Sequence, residues 1–320
     1  MTGEALLSVQ SLSVHFKVPG GTVRAVDGVS LEIRKGETLG LVGESGCGKT
    51  TLGRAILRLN QPASGAITWR GAELLEADLH RRVQMIFQDP YSSLNPRMNI
   101  GSIIGEPLRA LGLARGRDAE ARIEVLMNQV GLDPRLRLRY PGQFSGGQRQ
   151  RVGIARALAA NPELIVADEP IAALDVSIQA QILNLLEQLR ADLGLTYLFI
   201  SHDLRAVRYL ADRVAVMYLG KVVELASAEA IGRRPLMPYT QALMAAVPSL
   251  SGPSERVVLS GEIPSPVNPP SGCRFRTRCP YAIEECAQMT PELREIEPGH
   301  MAACIRISRE HPEIARVAGR

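Results

Sequence analysis

Hydrophobic positions follow two different periods along the first two-thirds of the chain. LLSVQSLSVHF and VRAVDGVSLEI read as strands, each ending near a turn signal. Residues 37–42 predict a buried strand running into a glycine-rich turn, after which KTTLGRAILRL takes up a helical period. QPASG reads as a turn, AITWRG as a strand, and VQMIFQ as a strand ending at Gln88. From 89 to about 160 the strand pattern stops. Pro90, Pro96 and Pro107 punctuate the entry; helical patterns follow around 99–112 and 118–130, with a third from Gly147, so the segment reads as a helical insertion. LIVADE (164–169) is then a nearly continuous apolar run ending in acids, the pattern of a strand buried on both faces of a parallel sheet. A helix over 177–191, the strand TYLFIS, another helix and the strand RVAVMYLG complete an alternation that predicts a parallel sheet with helices on both faces.

Near residue 226 the character changes. The tail holds Pro248, Pro253, Pro264, Pro266, Pro269, Pro270, Pro280, Pro291 and Pro298, together with four of the five cysteines. Over 320 residues, 45% are hydrophobic and 22% charged, which is enough to bury a core and excludes a disordered polar chain. A net charge of +4 is too small to argue for nucleic acid, and 4% aromatic residues argue against a stacking surface for single strands. No run reaches the 18 or so apolar residues of a membrane span. MTGEALLSVQ has no basic region leading into an apolar one, so the chain is expected to stay on the side where it is made and to reach any membrane through a partner.

Gly43-Glu44-Ser45-Gly46-Cys47-Gly48-Lys49-Thr50 fits G-x-x-x-x-G-K-[ST] between a predicted strand and a helix. Such glycines let backbone N–H groups face phosphate oxygens, and the helix N-terminus adds partial positive charge. Lys49 is placed to reach the β- and γ-phosphates and the Thr50 hydroxyl to bind Mg²⁺. A chance glycine turn is the alternative. Cys47 reads as a small loop residue. Asp168, at the end of LIVADE, is a further Mg²⁺ candidate, and Glu169 beside it could polarise an attacking water; a solvated acidic turn is the other reading.

Phe144-Ser145-Gly146-Gly147-Gln148 resembles the LSGGQ signature of ATP-binding cassette (ABC) ATPases, with Phe in place of the leading Leu. Gln88 looks like the Q-loop glutamine, Asp175 like the D-loop aspartate, His202 in Ile-Ser-His-Asp like the switch histidine, and Phe16 like the aromatic that stacks on adenine. Six motifs stand in order between residue 6 and about 225. The resemblance implies an α/β P-loop NTPase core with a parallel sheet, an N-terminal antiparallel β region, a helical subdomain and a C-terminal Cys-containing extension. In domains, that gives a nucleotide-binding core over 1–88 and 161–230, a helical subdomain over 89–160 and an extension over 231–320. It implies ATP hydrolysis with Glu169, His202, Lys49 and Gln88 catalytic. The nucleotide would lie against Phe16, Gly43, Ser45, Gly46, Cys47, Gly48, Lys49, Thr50 and Thr51, and against Ser145, Gly146, Gly147, Gln148 and Asp175. Mg²⁺ would be held by Thr50, Gln88 and Asp168. In the family the signature of one subunit faces the phosphate loop of another across ATP, so a second ATPase is implied, here as a heterodimer. Ser145 and the N–H groups of Gly146 and Gly147, ahead of a helix, are a second anion site in their own right. Arg149 and Arg151 read as a basic helix face behind it. Ala172 departs from the Ser common in related transporters.

In the tail, Met237-Pro238-Tyr239-Thr240-Gln241-Ala242-Leu243, Gly261-Glu262-Ile263-Pro264-Ser265-Pro266, Gly272-Cys273-Arg274-Phe275 and Arg278-Cys279-Pro280 resemble the C-terminal extension of peptide importers; Met237 replaces the usual His. FQDPYSSLNPRM (87–98) resembles the same oligopeptide/dipeptide branch. This implies an importer ATPase at the cytoplasmic face of the inner membrane, working with two transmembrane permeases and an extracytoplasmic solute-binding protein, and no nucleic acid. Dipeptides or oligopeptides are the expected cargo, with nickel, glutathione or opine-like solutes as alternatives; a non-transport ABC ATPase is the rival class. Cys273, Cys279, Cys286 and Cys304 are spaced C-x5-C-x6-C-x17-C, matching neither the common zinc pattern nor the ferredoxin run. They could hold a [4Fe–4S] cluster or zinc, or remain four free thiols; relatives with a cluster at these positions point to the cluster. His300 reads as a surface residue rather than a ligand.

Overall fold

The computed structural model describes residues 4–73, 75–89, 91–246, 261–310 and 314. Pro90, Pro248 and Pro253 lie outside the described residues. The fold is α/β, and the chain forms two compact units.

The first unit comprises Met1–Leu6, Ile33–Thr38 and Trp69–Ile200. Its strands Val83–Ile86, Leu164–Asp168 and Thr196–Ile200 pair in parallel, with Val83 opposite Leu164 and Asp168 opposite Ile200. Leu164–Asp168 and Thr196–Ile200 are buried at every position, which is why LIVAD reads as an apolar run rather than an alternation. The helix between them, Val176–Leu193, buries Ile182, Leu185, Leu186 and Leu189, a stripe at helical spacing. The segment expected to be helical contains no strand among its described residues. Its first pattern, however, forms two short helices, Ile100–Ile104 and Glu106–Ala110, because Pro107 has no N–H to give to the Ile103 carbonyl. Gly116–Gln129 and Gly146–Leu158 follow. Arg156 ties the last helix to the entry loop, donating to the Ser93 carbonyl at 2.7 Å and lying near the Phe87 ring. Arg149 donates to the Pro141 carbonyl and covers the Tyr91 ring, while Arg151 donates to the Val130 carbonyl. These cations are therefore engaged within the fold.

The second unit comprises Leu7–Glu32, Leu39–Thr68 and Ser201–Arg320. Strands Ala5–Val18 and Gly21–Arg34 are neighbours joined by two residues, a link that only an antiparallel pair permits; Ser64–Trp69 lies on the other side of Ala5–Val18. Thr38–Val42 pairs in parallel with Arg213–Tyr218, which pairs antiparallel with Lys221–Ser227. The tail then adds His300–Ala302 to the edge of Lys221–Ser227, and Arg294–Glu297 to His300–Ala302. No strand was expected beyond Gly220. Strands of three and four residues carry too little periodicity to be read from sequence.

Glu224 explains how the tail docks. Its side chain is 0% exposed. It accepts hydrogen bonds from the Leu236 N–H (2.6 Å), the Met237 N–H (3.1 Å) and His300 Nε2 (2.7 Å). His300 is thus buried beside a carboxylate, correcting its reading as a surface residue: a buried acid needs partners, and His300 is one of them. An apolar cluster of Leu236, Ile296, Ala302 and Ile307 packs nearby, with Cys304 and Ile314 against it. Glu224→Ala would leave two amides and an imidazole without their acceptor. It should destabilise this unit by about 3 kcal/mol, read as faster hydrogen exchange at the Leu236 and Met237 amides; unchanged exchange there would contradict the docking role.

Candidate nucleotide site

In the second unit the strand Thr38–Val42 delivers the chain into the loop at Gly43, and the helix Lys49–Ile56 leaves it. Gly43 and Gly48 have φ of 153° and 107°, and a Cβ on either would lie 2.2 Å from the Met217 carbonyl oxygen or 2.0 Å from that of Ala25. Neighbouring backbone thus forces glycine at these two positions. Gly48 caps the helix without a side chain, leaving the helix start to backbone N–H groups. Lys49 is buried, and its Nζ donates to the carbonyls of Gly43 (2.9 Å) and Glu44 (3.1 Å), so the ammonium is folded back over the loop. Cys47 is buried with its Sγ 3.8 Å from Lys49 Nζ; burial raises the thiol's pKa, against the pull of that ammonium. Ser45 and Gly46 are exposed on the loop, and Thr50 and Thr51 are half-buried in the first turn. Phe16 is 40% exposed on the strand Ala5–Val18. His202 is exposed just past Ser201; the adjacent Asp203 caps the helix Leu204–Leu210, accepting from the Arg205 N–H at 2.8 Å.

In the first unit Asp168 is buried at the end of its strand, and Glu169 follows with φ of 45°. The Glu169 N–H still donates to the Ile200 carbonyl at 2.9 Å, so the carboxylate leaves a strand end that is pinned by its neighbour. Gln88 Nε2 donates to Glu169 Oε2 at 3.2 Å, bringing two of the sequence candidates together. Ser145 caps the helix Gly146–Leu158: its Oγ accepts from the Gln148 N–H at 3.3 Å, and Gln148 Oε1 accepts from the Ser145 N–H at 3.0 Å. Asp175 likewise caps Val176–Leu193 through the Ile178 N–H and accepts from the Ser177 hydroxyl, and these bonds lower its pKa.

Residues 26–172 match the ABC transporter family model, and residues 223–286 match the oligopeptide/dipeptide transporter C-terminal region. The oligopeptide transport ATP-binding protein OppF of Salmonella typhimurium is 52% identical over 95% of this chain and 97% of its own length. AppF of Bacillus subtilis, also an oligopeptide transport ATP-binding protein, is 50% identical over 94% and 97%. This chain belongs to the ABC transporter family. Among solved structures, a dimeric post-hydrolysis state of the ATP-binding cassette MJ0796 bound to ADP and Pi superposes with a TM-score of 0.63, at 28% identity over 69% of this chain and 98% of that one. CbiO1 from Clostridium perfringens, part of the cbiONQ ABC transporter complex, does so with a TM-score of 0.63 at 26% identity over 73% and 93%. The chain is therefore an ABC-type ATP hydrolase with the P-loop cassette fold.

Beyond the cassette, Cys273, Cys279, Cys286 and Cys304 of this ABC subunit line one small cavity with Met237, Phe275 and Tyr281. None is in a disulfide. Burial pushes the Cys273 thiol up to about 11 and the Cys279 thiol up to about 12, and the neighbouring cysteines add to both shifts. Among the described residues no three His, Cys, Asp or Glu side chains are grouped to hold a metal ion.

Three contacts to the loop escaped sequence reading: Arg278 on the Glu44 carboxylate, the Tyr239 hydroxyl on the Glu44 N–H, and the Gly220 N–H on the Cys47 carbonyl. Arg278 and Tyr239 stand in the tail segments that resemble the importer extension, but sequence carries no signal of where they reach. Lys49→Ala should weaken MgATP binding strongly, and Gly48→Ala should do so as well by displacing the loop from the Ala25 carbonyl; nucleotide titration of either variant at wild-type affinity would remove the loop from the site.

Proposed function

We propose that this chain binds and hydrolyses ATP to energise a binding-protein-dependent importer of dipeptides and oligopeptides. The observation that carries this reading is the union, in one chain, of a full set of nucleotide motifs with a segment matching the oligopeptide/dipeptide transporter C-terminal region. The names of OppF and AppF support the same cargo class. The partners are a second ATPase, two transmembrane permeases and an extracytoplasmic solute-binding protein, with the chain on the cytoplasmic face of the inner membrane. No helix among the described residues is long and apolar enough to cross a membrane, so contact with the bilayer would run through the permeases. Residues 89–160 are the segment proposed to meet them, residues 1–88 and 161–230 the nucleotide-binding core, and 231–320 the importer extension.

Catalysis in this reading is positioning and charge stabilisation. Phe16 stacks on adenine. The loop N–H groups and Lys49 bind the phosphates; an ammonium already held by two loop carbonyls loses little freedom in doing so. Thr50, Asp168 and Gln88 would supply the hard oxygen donors that suit Mg²⁺, which when bound would neutralise phosphate charge. Glu169 orients and polarises the attacking water. Its hydrogen bond from Gln88 keeps the carboxylate aimed and links it to a loop that could report γ-phosphate. His202 contacts the γ-phosphate. Ser145, Gly146, Gly147 and Gln148 serve the nucleotide of the partner ATPase, with Asp175 beside them. Closure is then favoured by ATP alone, because the γ-phosphate contacts from both subunits exist only when closed.

The cysteine cavity is proposed to hold a [4Fe–4S] cluster, with zinc as the alternative.

In the complex reconstituted with its membrane subunits, peptide-loaded binding protein should stimulate ATP turnover above the empty form, and Glu169→Gln should abolish turnover while retaining ATP. Turnover indifferent to peptide but raised by a nickel chelate would move the cargo to that solute. Chain purified without oxygen should carry about four iron and four sulfide, and Cys286→Ser should lose them; zinc in their place, or neither, would overturn the cluster.

A further inference from the structure

The phosphate loop carries a carboxylate, Glu44, directly after Gly43. A negative charge there opposes a polyanionic ligand unless it is neutralised. Arg278 does so with two bonds in fork geometry, Nη1 to Oε2 at 2.7 Å and Nη2 to Oε1 at 3.0 Å. The arginine side chain is 6% exposed and the glutamate 21%, so the pair is shielded from solvent on the arginine side. The same residue is held through its backbone: the Tyr239 hydroxyl accepts from the Glu44 N–H at 2.9 Å. Tyr239 is fully buried and packs on Tyr218 at 4.6 Å and on Phe275 at 5.4 Å between ring centroids. Phe275 and Arg278 share a turn, the Arg278 N–H donating to the Phe275 carbonyl at 3.0 Å, and this turn lies between Cys273 and Cys279. Arg274, just before that turn, bonds the Asp27 carboxylate and the Leu219 carbonyl.

We propose that Arg278 and Tyr239 are positioning residues for nucleotide binding: the cysteine lobe reaches back to neutralise and hold Glu44, so that the affinity of the loop for phosphate depends on this contact. The inference rests on the phosphate-loop reading. Neither residue touches nucleotide in this scheme; both act through Glu44. Arg suits this contact better than Lys, because only a planar guanidinium meets both carboxylate oxygens at once.

The test is titration of the full-length chain with a fluorescent ATP analogue and Mg²⁺, with thermal midpoints recorded alongside. Arg278→Met should bind about tenfold more weakly and Arg278→Lys by an intermediate factor. Adding Glu44→Gln to Arg278→Met removes the unpaired carboxylate and should restore affinity to within about threefold of wild type. A merely structural role would move the thermal midpoint together with affinity, whereas a positioning role predicts the loss and rescue of affinity at a nearly constant midpoint. Glu44→Gln by itself, which keeps a partner for Arg278 and sheds the charge, should bind at least as tightly as wild type, and this variant decides the matter if Arg278→Met fails to fold. Wild-type affinity in Arg278→Met, no rescue in the double variant, or weakened binding in Glu44→Gln would each overturn the proposal. Lys49→Ala is run in parallel: its retention of affinity would sink the phosphate-loop reading itself, whereas its loss of affinity beside an unaffected Arg278→Met would sink only the role of the lobe.

Discussion

The candidate nucleotide site depends on a short stretch of backbone held where side chains cannot go. Gly43 and Gly48 run within 2.2 Å and 2.0 Å of carbonyl oxygens as measured from the Cβ each lacks, so the loop is clamped between the strand Arg213–Tyr218 and the residues around Ala25. Once that path is set, the helix Lys49–Ile56 must start where it does and Lys49 must turn back on the loop. The parallel pairing of Thr38–Val42 with Arg213–Tyr218 brings the Met217 carbonyl to that place. Burial of these strands contributes stability, but its local use is to present N–H groups in a fixed array.

Those features of the fold that come from periodicity or from spaced motifs were readable in the chain. LIVAD and TYLFI are buried on both faces and read as unbroken apolar runs. The phosphate loop, the acids after LIVAD and the signature serine stand in local patterns with local geometric causes. What escaped was long-range and short-segment. Lys221–Ser227 places a charged Glu224 in a fully buried position, which breaks the hydrophobic signal of a strand. Its partners, Leu236, Met237 and His300, lie 12 to 76 residues away, so no window contains them. His300 looked like a surface group because its acid could not be seen.

The tail also shows how a small lobe can be stabilised with modest apolar content. Buried ion pairs and buried thiols are both costly unless their surroundings compensate. Glu224 is compensated by two amides and an imidazole. Arg274 is compensated by Asp27 and a carbonyl. Burial raises the pKa of the Cys273 and Cys279 thiols, which avoid the cost by staying neutral.

The signature helix carries one more consequence. The reciprocal bonds between Ser145 and Gln148 fold the first turn of Gly146–Leu158 within a single chain. Nothing there waits for a ligand to become ordered. Under the proposed role of this helix end, an anion arriving there would meet amides already oriented, so its encounter would carry no local conformational-entropy penalty.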